Sequence, residues 1–238
     1  MSAAEFEFHG AALLADASGV LVWPEKQTVA VADLHFEKGS AFAVNGTPLP
    51  PYDSRETLRR LTAVLKRHRP RRVICLGDSF HDREAAGRLS REEADALRRL
   101  TAAHEWIWIA GNHDPEAPAD LGGITAAELR SGNLTFRHEA ERRAAGEVSG
   151  HFHPKASVSA RNRTVGGRCF VTDGARLILP AFGAYAGGLD VHDPAIECLL
   201  GREYTVFILG RSRVHAFRRV SALPAAIADA MDGQPRLL

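Results

Sequence analysis

Short apolar runs separated by amphipathic stretches dominate the first half of the chain. The runs at Thr28–Ala32, Arg72–Leu76 and Trp106–Ala110 are short and rich in β-branched or aromatic residues, a pattern that predicts buried strands. Shorter apolar segments before them predict further strands at Glu5–Phe8, Ala11–Leu14 and Val20–Trp23. The first half is therefore expected to supply a sheet.

Two amphipathic segments between these strands predict helices. The first begins at Asp53 or Ser54, either of which is a good N-cap, and places Leu58 and Leu61 on one face. The second covers Ser90–Ala103. Strands that alternate with helices in this way favour a largely parallel central sheet.

The second half has a different pattern, with turn residues between β-rich segments. Ser131-Gly132-Asn133, Asp173-Gly174 and Leu209-Gly210-Arg211-Ser212 are typical of hairpin turns, so this half is expected to be mostly antiparallel. Two β layers flanked by helices, an α/β sandwich, accommodate both halves. We expect one domain over residues 1–238, with a tail from about residue 222 that forms a short, frayed helix.

Composition narrows the class of protein without identifying a partner. Of the 238 residues, 45% are hydrophobic and 25% are charged, as in soluble globular proteins, and the net charge is only +1. Cys75, Cys169 and Cys198 are isolated, which argues against a disulfide framework and for a reducing compartment. The N-terminus lacks a signal-peptide pattern, and no apolar run approaches about 20 residues, so the cytoplasm is the expected location.

The candidate chemistry lies in four short motifs, each directly after a predicted strand. They are Asp33-Leu34-His35, Gly77-Asp78, Gly111-Asn112-His113-Asp114 and Gly150-His151-Phe152-His153. Open α/β sheets bind ligands at the carboxyl ends of their strands, so these side chains are expected to face one crevice. In extended backbone the two polar residues of Asp-x-His and His-x-His would emerge on the same side. Carboxylates, imidazoles and an amide oxygen together suit divalent manganese, iron, zinc or magnesium better than a thiolate site would.

In this order the four motifs resemble those of the calcineurin-like metallophosphoesterases. The resemblance implies a four-layer αββα sandwich with mixed central sheets, and a centre of two divalent metal ions, manganese first, with iron, zinc or magnesium as alternatives. It also implies an isolated histidine between the third and fourth motifs, for which His138 is the candidate, although Glu139 follows it where the family often has glycine. One ion would be bound by Asp33, His35, Asp78 and His153, and the other by Asp78, Asn112, His138 and His151, with Asp78 bridging the two.

Two further residues of the third motif are candidates for catalysis. His113 is expected to contact the phosphoryl oxygen or protonate the leaving group, with Asp114 orienting it. The alternative for His113 is a structural role, in which the imidazole braces its loop through a hydrogen bond.

A narrower resemblance involves the segments that surround these motifs. Ser79-Phe80-His81-Asp82, the stretch from Leu179 to Asp190 and Gly150-His151-Phe152-His153-Pro154 resemble the bacterial ligase-associated DNA damage response endonucleases of the PdeM type. This implies a DNA endonuclease or phosphodiesterase linked to DNA repair, with a DNA ligase or helicase as a partner and no membrane association. Two alternatives stay open, namely a small-molecule phosphodiesterase or phosphatase acting on nucleotides, and a non-catalytic repair scaffold.

Candidate substrate contacts lie in the second half of the chain. Arg161 and Arg163, together with Arg168, follow the His151-x-His153 loop, and Tyr185 lies in a glycine-rich segment where it would stack on a base. An exposed hairpin face and a plain glycine-rich turn are equally good interpretations. The basic cluster from Arg67 to Arg72 is assigned instead to solubility and helix capping, because it precedes a strand and so lies at the opposite edge of the sheet.

Overall fold

The structure is a computed structural model that describes residues 3–220, apart from 45, 48, 51, 117, 143, 161 and 162. Its strands are β1 (Ala3–Phe8), β2 (Ala11–Asp16), β3 (Leu21–Trp23), β4 (Thr28–Val31), β5 (Arg72–Leu76), β6 (Glu105–Ile109), β7 (Ile124–Ala126), β8 (Glu128–Ser131), β9 (Leu134–Arg137), β10 (Glu147–Ser149), β11 (Lys155–Ala160), β12 (Arg163–Thr172), β13 (Arg176–Ile178), β14 (Glu203–Leu209) and β15 (Val214–Val220). Its helices are α1 (Lys38–Val44), α2 (Asp53–His68), α3 (Ala85–Arg88), α4 (Arg91–Ala103) and α5 (Pro194–Glu197), with a 3₁₀ turn at Ala119–Leu121. The predicted tail from residue 222 lies outside the described residues.

The first sheet follows chain order from β1 to β7. Its early strands pair antiparallel up to β4, whereas β4, β5, β6 and β7 run parallel. The sheet is therefore mixed, since β1 to β4 are joined by short connections that permit only antiparallel pairing. The helical crossovers through α2 and α4 produce the expected parallel part, and it is this part that leads into the first three motifs.

The second sheet has the order β15-β14-β12-β13-β10-β9-β8, and β11 pairs with β12. All three predicted hairpins are present, joining β8 to β9, β12 to β13 and β14 to β15. However, β10 runs parallel to both β9 and β13. The strand that leads into the His151-x-His153 loop is thus central in its sheet.

Alternating residues of the strands build the layers. Ala30, Ile74 and Ile107 point into a core shared with the second sheet, whereas their neighbours Val73 and Trp108 pack against the side that carries α2 and α4. A third apolar cluster covers the outer face of the second sheet beside α5. The result is the expected four-layer α/β sandwich with two mixed sheets.

Helix α2 begins at Asp53, as predicted, but not for the predicted reason. Neither Asp53 nor Ser54 caps it, since the N-cap residue is Tyr52, which makes no side-chain cap bond. Instead the Asp53 carboxylate accepts a hydrogen bond from the backbone N–H of Gly39 at 2.9 Å, and the Ser54 hydroxyl accepts one from that of Glu37 at 2.8 Å. These bonds attach the start of α2 to the segment that follows the first motif.

In the part of the chain that the structure describes, no helix is both long enough and apolar enough to cross a membrane. Cys75, Cys169 and Cys198 are free thiols.

Candidate metal centre

The candidate ligands meet where five strands end. Asp33 and His35 follow β4, Asp78 follows β5 and Asn112 follows β6 in the first sheet. In the second sheet, His138 follows β9, and His151 and His153 follow β10. The two sheets therefore present their carboxyl ends to a common crevice, as expected from the sequence.

The local backbone of these residues differs from the extended conformation expected for Asp-x-His and His-x-His. Asp33 and His35 have φ values of 54° and 44°, and His151 and His153 have values of 70° and 49°. Asp78 is also left-handed, with φ of 45°. Non-glycine residues rarely adopt this region, and such strain persists where the surrounding structure fixes it, commonly at functional sites.

Close backbone approach explains two of the motif glycines. A Cβ on Gly111 would overlap the backbone nitrogen and carboxylate of Asp78. A Cβ on Gly150 would lie 2.8 Å from the Asp33 carboxylate and from the Ala32 methyl group. Larger residues at these positions would displace a candidate ligand.

The first donor group consists of Asp33, His35 and His153. The Nε2 atoms of His35 and His153 lie 3.3 Å apart, and His153 Nε2 lies 3.5 Å from a carboxylate oxygen of Asp33. Asp33 is fully buried and also accepts a hydrogen bond from the backbone N–H of His151 at 3.0 Å. Hence three ligand atoms face one another at the spacing that coordination to one ion would need.

The second donor group consists of Asp78, His138 and His151, with Asn112 beside it. His138 Nε2 lies 3.3 Å from a carboxylate oxygen of Asp78 and 3.1 Å from His151 Nδ1. The side-chain oxygen of Asn112 lies 2.8 Å and 3.1 Å from the same two nitrogens. His138 Nδ1 lies 2.9 Å from the Leu76 carbonyl, which can only accept, so it carries a proton and leaves Nε2 as the coordinating atom.

The charges of the crevice suit a cation. Although burial opposes it, the hydrogen bond and charge of His138 hold the pKa of Asp78 well below its usual range. Burial lowers the pKa of His138, but the hydrogen bond and charge of Asp78 outweigh this and raise it to about 9. Burial lowers the pKa of His35 to about 2, so its imidazole is neutral. An ionised carboxylate and a neutral imidazole are the forms that bind metals.

The chemistry of the donors therefore fits divalent cations. Imidazole, carboxylate and amide oxygen ligands suit manganese, iron, zinc or magnesium. Opposed imidazole nitrogens about 3 Å apart have little to offer each other unless a proton or a metal ion lies between them. The chain thus has two candidate metal-binding sites, and the shared use of Asp78 stays a prediction.

His113 lies beside the second donor group and is more exposed than Asp78. Its Nδ1 lies 2.7 Å from the His81 carbonyl, which fixes the proton on that atom and turns Nε2 toward Asp78, at 3.9 Å from the carboxylate. The side chain of His113 is 41% exposed, compared with 4% for Asp78. An accessible imidazole of fixed tautomer is suited to meet a substrate.

The arrangement of Asp114 differs from the expected one. Its carboxylate does not orient His113 but accepts hydrogen bonds from the backbone N–H groups of Ser79 and Phe80, at 2.8 Å and 3.0 Å. Burial raises the pKa of Asp114 to about 7. The hydrogen bond from the Phe80 N–H opposes this rise, and the negative charge of Asp78 adds to it. Asp114 therefore fixes the loop that follows Asp78, while the His81 carbonyl orients the His113 ring.

The candidate substrate contacts have varied outcomes. Arg161 lies outside the described residues, and Arg163 begins β12 at the tip of the β11–β12 hairpin, about 17 Å along the strand from Lys155. Arg168 pairs with Lys155 at the base of this hairpin and donates to the Ala181 carbonyl. The Tyr185 hydroxyl donates to the Pro50 carbonyl at 2.8 Å, so this side chain is anchored to the loop before α2. Contact of these side chains with a substrate stays a prediction.

Two residues near the centre were given no role from the sequence. The His81 ring stacks on the His113 ring, with centroids 5.3 Å apart and an interplanar angle of 22°. The backbone carbonyl of His81 also accepts the hydrogen bond from His113 Nδ1. Phe152 lies perpendicular to the His151 ring at 4.9 Å. Both residues lie in or near the motifs, since His81 is three residues after Asp78 and Phe152 is between His151 and His153. An aromatic side chain this close to candidate ligands was the sequence signal that could have identified them.

Comparison with known proteins agrees with this geometry. The sequence profile of the calcineurin-like phosphoesterases matches residues 27–184. The crystal structure of Pseudomonas putida nuclease MPE is 28% identical, covers 90% of this chain and 100% of that chain, and superposes with a TM-score of 0.71. The E. coli phosphoesterase Yfce is 12% identical, with 81% and 98% of the two chains covered and a TM-score of 0.40. No curated protein matches the sequence significantly. The chain belongs to the calcineurin-like phosphoesterase family and is a metal-dependent phosphoesterase.

Proposed function

We propose that this enzyme hydrolyses phosphodiester bonds of DNA as an endonuclease that uses two divalent metal ions, with manganese the first choice. One ion would be held by Asp33, His35 and His153 and the other by Asn112, His138 and His151, with Asp78 as the ligand that both would share. The observation that carries the proposal is the pair of donor groups beside one accessible imidazole. Similarity to the P. putida nuclease over that protein's full length supports a nucleic acid as the substrate, and the motif resemblance to the ligase-associated endonucleases favours DNA.

Each part of the site then has a chemical task. Two bound divalent ions activate a water molecule and stabilise the charge that develops on the phosphoryl oxygens. The Asp78 carboxylate is ionised and the His35 imidazole is neutral before any ion binds, whereas His138, with its raised pKa, would release the Nε2 proton on coordination. The amide of Asn112 supplies an oxygen without adding negative charge, so the centre stays attractive to an anionic phosphate.

His113 acts directly on the substrate. With its Nδ1 proton committed to the His81 carbonyl, Nε2 is the atom that faces the crevice. In the protonated imidazole this atom donates a hydrogen bond to a phosphoryl oxygen or a proton to the leaving oxygen. Asp114 contributes indirectly, since its bonds to the Ser79 and Phe80 N–H groups fix the loop that carries Asp78 and His81.

The test is hydrolysis of bis-p-nitrophenyl phosphate, p-nitrophenyl phosphate and a labelled single-stranded oligonucleotide with added manganese. We expect activity on the diester and internal cleavage of the DNA, both abolished by a chelator. His113→Ala should lower the diester rate by about 10²- to 10⁴-fold, the usual contribution of a proton-transferring group. His104→Ala is the matched control, because His104 bonds to the Pro70 carbonyl before the amino end of β6, away from the donors.

Other outcomes distinguish the alternatives. Hydrolysis of the monoester without cleavage of the diester or DNA would indicate a nucleotide phosphatase. A folded, metal-loaded protein that is inactive on all three substrates would indicate a non-catalytic scaffold. The link to DNA repair, the ligase or helicase partner and the cytoplasmic location stay predictions from the sequence.

A further inference from the structure

A cleft of about 530 Å³ lies between the segment after β9, the His151-x-His153 loop and the region of α5. Phe152 forms one wall, and Ala140, Ala195 and Leu199 supply most of the apolar remainder. Glu139, Glu141 and Arg142 add polar groups. Cavities of several hundred Å³ in which apolar walls are combined with polar groups occur as small-ligand sites.

The cleft adjoins the second donor group. Phe152 is the residue between His151 and His153, and its ring meets that of His151 edge to face, with centroids 4.9 Å apart. On the opposite wall, Glu139 directly follows His138 in the chain. Two residues that line the cleft are thus direct chain neighbours of candidate ligands, which brings the cleft next to the second donor group.

The walls of the cleft are fixed by the core beneath them. Ala140 is 5% exposed and Leu199 is 8% exposed, and both belong to the apolar cluster on the outer face of the second sheet. Phe152 packs against the same cluster but keeps part of its ring exposed. An aromatic face held in place beside a metal centre loses little entropy when a planar group stacks on it.

The charges of the cleft indicate what kind of group it accepts. Two glutamates and one arginine line it, and Glu141 is paired with Arg137, so the lining offers no excess positive charge that would attract a second phosphate. Carboxylate and guanidinium groups accept from and donate to the edge of a heterocycle. A flat, neutral group with a polar edge is the description of a nucleobase.

We propose that this cleft binds the base of the nucleotide adjacent to the scissile phosphate, with Phe152 as the stacking surface. The inference rests on the proposed phosphodiesterase function and adds a base-binding subsite to it. Phe152 is then a specificity residue that increases affinity for nucleotide esters over simple phosphodiesters.

The test compares esters that share a leaving group but differ in the presence of a base. Thymidine 5′-(p-nitrophenyl phosphate) and its 3′ isomer carry one, whereas methyl p-nitrophenyl phosphate does not. We expect Phe152→Ala to lower kcat/KM for at least one thymidine ester by about 5- to 100-fold, mainly through KM, as expected for loss of one stacked base. Hydrolysis of the methyl ester should be unchanged, and Phe152→Tyr should restore the thymidine esters.

Two more variants separate stacking from a structural effect. Ala195→Trp fills the cleft from the exposed start of α5 without altering Phe152, and should impair the same thymidine ester alone. Phe42→Ala removes a 37%-exposed aromatic ring beside His81, outside the cleft, and should have no such effect. An equal loss on both kinds of ester in Phe152→Ala, or a base-dependent loss only in Phe42→Ala, would overturn the proposal.

A binding measurement keeps this inference separate from the proposed function. Calorimetry with thymidine 5′- and 3′-monophosphate and with inorganic phosphate requires no turnover. We expect Phe152→Ala to weaken the binding of one of the two nucleotides by about 5- to 100-fold and to leave the affinity for inorganic phosphate unchanged. If the wild type hydrolyses none of the esters, the proposed function fails, whereas equal nucleotide affinity in wild type and Phe152→Ala overturns the base subsite alone.

Discussion

Within the described residues, the candidate metal centre and the surroundings of Asp16 both combine buried carboxylates with histidines, and they differ in how the charge is compensated. At the carboxyl ends of the strands, Asp33 and Asp78 face imidazoles. At the end of β2, Asp16 is also buried, with a side chain that is 1% exposed, and it also contacts a histidine, His68, at 3.2 Å. From composition alone the two clusters look alike.

The second cluster is complete without any ligand. Arg67 binds one carboxylate oxygen of Asp16 at 2.6 Å, His68 binds the other, and the N–H and hydroxyl of Ser18 donate as well. Asp33 and Asp78 instead have histidines as their described ion-pair partners. A candidate metal site therefore differs from a stabilising ion-pair network in that its carboxylates and imidazoles converge without an arginine among them.

The largest effect is expected from Asp78→Asn. Loss of a residue that only hydrogen-bonds to a metal ligand lowers activity by up to about 100-fold. Because Asp78 is itself a proposed ligand, its loss should lower the rate of bis-p-nitrophenyl phosphate hydrolysis by more than that. Asp16→Asn makes the same chemical change in the other cluster and should leave the rate unchanged. Comparable activity of the two variants would remove the distinction between the clusters.

Metal addition should give the next largest effect. Manganese at about 100 times its dissociation constant should stabilise the folded wild type by about 3 kcal/mol, because the ion binds only the folded state. Differential scanning fluorimetry with manganese or with a chelator measures this as a rise in Tm. Asp16→Asn should keep the rise and Asp78→Asn should lose most of it, whereas a rise of equal size in Asp78→Asn would contradict the account.

Asp16→Asn should act on stability and not on catalysis. Burial raises the pKa of Asp16, but the bonds from His68 and Ser18 and the charge of Arg67 outweigh this and lower it to about 2. Because this pKa is lowered, the carboxylate stabilises the folded state at pH values above 3.8, the pKa in the unfolded chain. The stabilisation is lost as the pH falls toward the folded-state pKa of about 2. The variant should lose about 2 kcal/mol of unfolding free energy at pH 7 and progressively less toward pH 2.

Urea denaturation at pH 7, 4 and 2.5 measures this difference. Asp95→Asn is the control, since Asp95 lies on α4 in a partly exposed pair with Arg98. A stability loss in Asp16→Asn that does not change with pH would show that its carboxylate is not held by these cations.

The smallest effect is expected from Arg72→Ala. Arg72 pairs with Glu105 at 2.8 Å, with side chains that are 28% and 40% exposed, so the pair is worth at most about 1 kcal/mol. It begins β5, at the opposite end of the strand from Asp78, and should not influence DNA cleavage. Slower cleavage of DNA with an unchanged rate on the small diester would instead assign the basic cluster from Arg67 to Arg72 to DNA binding.

The two donor groups could be predicted from the sequence because their members follow strands. Strand periodicity identifies β4, β5 and β10, and the polar residues directly after them must then lie at the carboxyl edge. The left-handed backbone of Asp33 and His151 was not predictable, since short sequence patterns report periodicity and not the sign of φ. It results from the close packing of loops from two sheets.

Contacts between distant segments account for the other differences. Asp53 was expected to cap α2 but binds the N–H of Gly39, and Asp114 was expected to orient His113 but binds the loop after Asp78. In each case the hydrogen-bond partner of the carboxylate lies on another segment of the chain. The proposed stacking role of Phe152 could not be predicted from the sequence, because the cleft that it lines also involves residues of α5, which are distant in the chain.

The most direct test of the central claim is crystallography of the protein grown with manganese, with anomalous data collected at the manganese edge. Two anomalous peaks are expected, one among Asp33, His35 and His153 and the other among Asp78, His138 and His151. A single peak, or peaks away from these two groups, would contradict a two-metal phosphoesterase built on these residues.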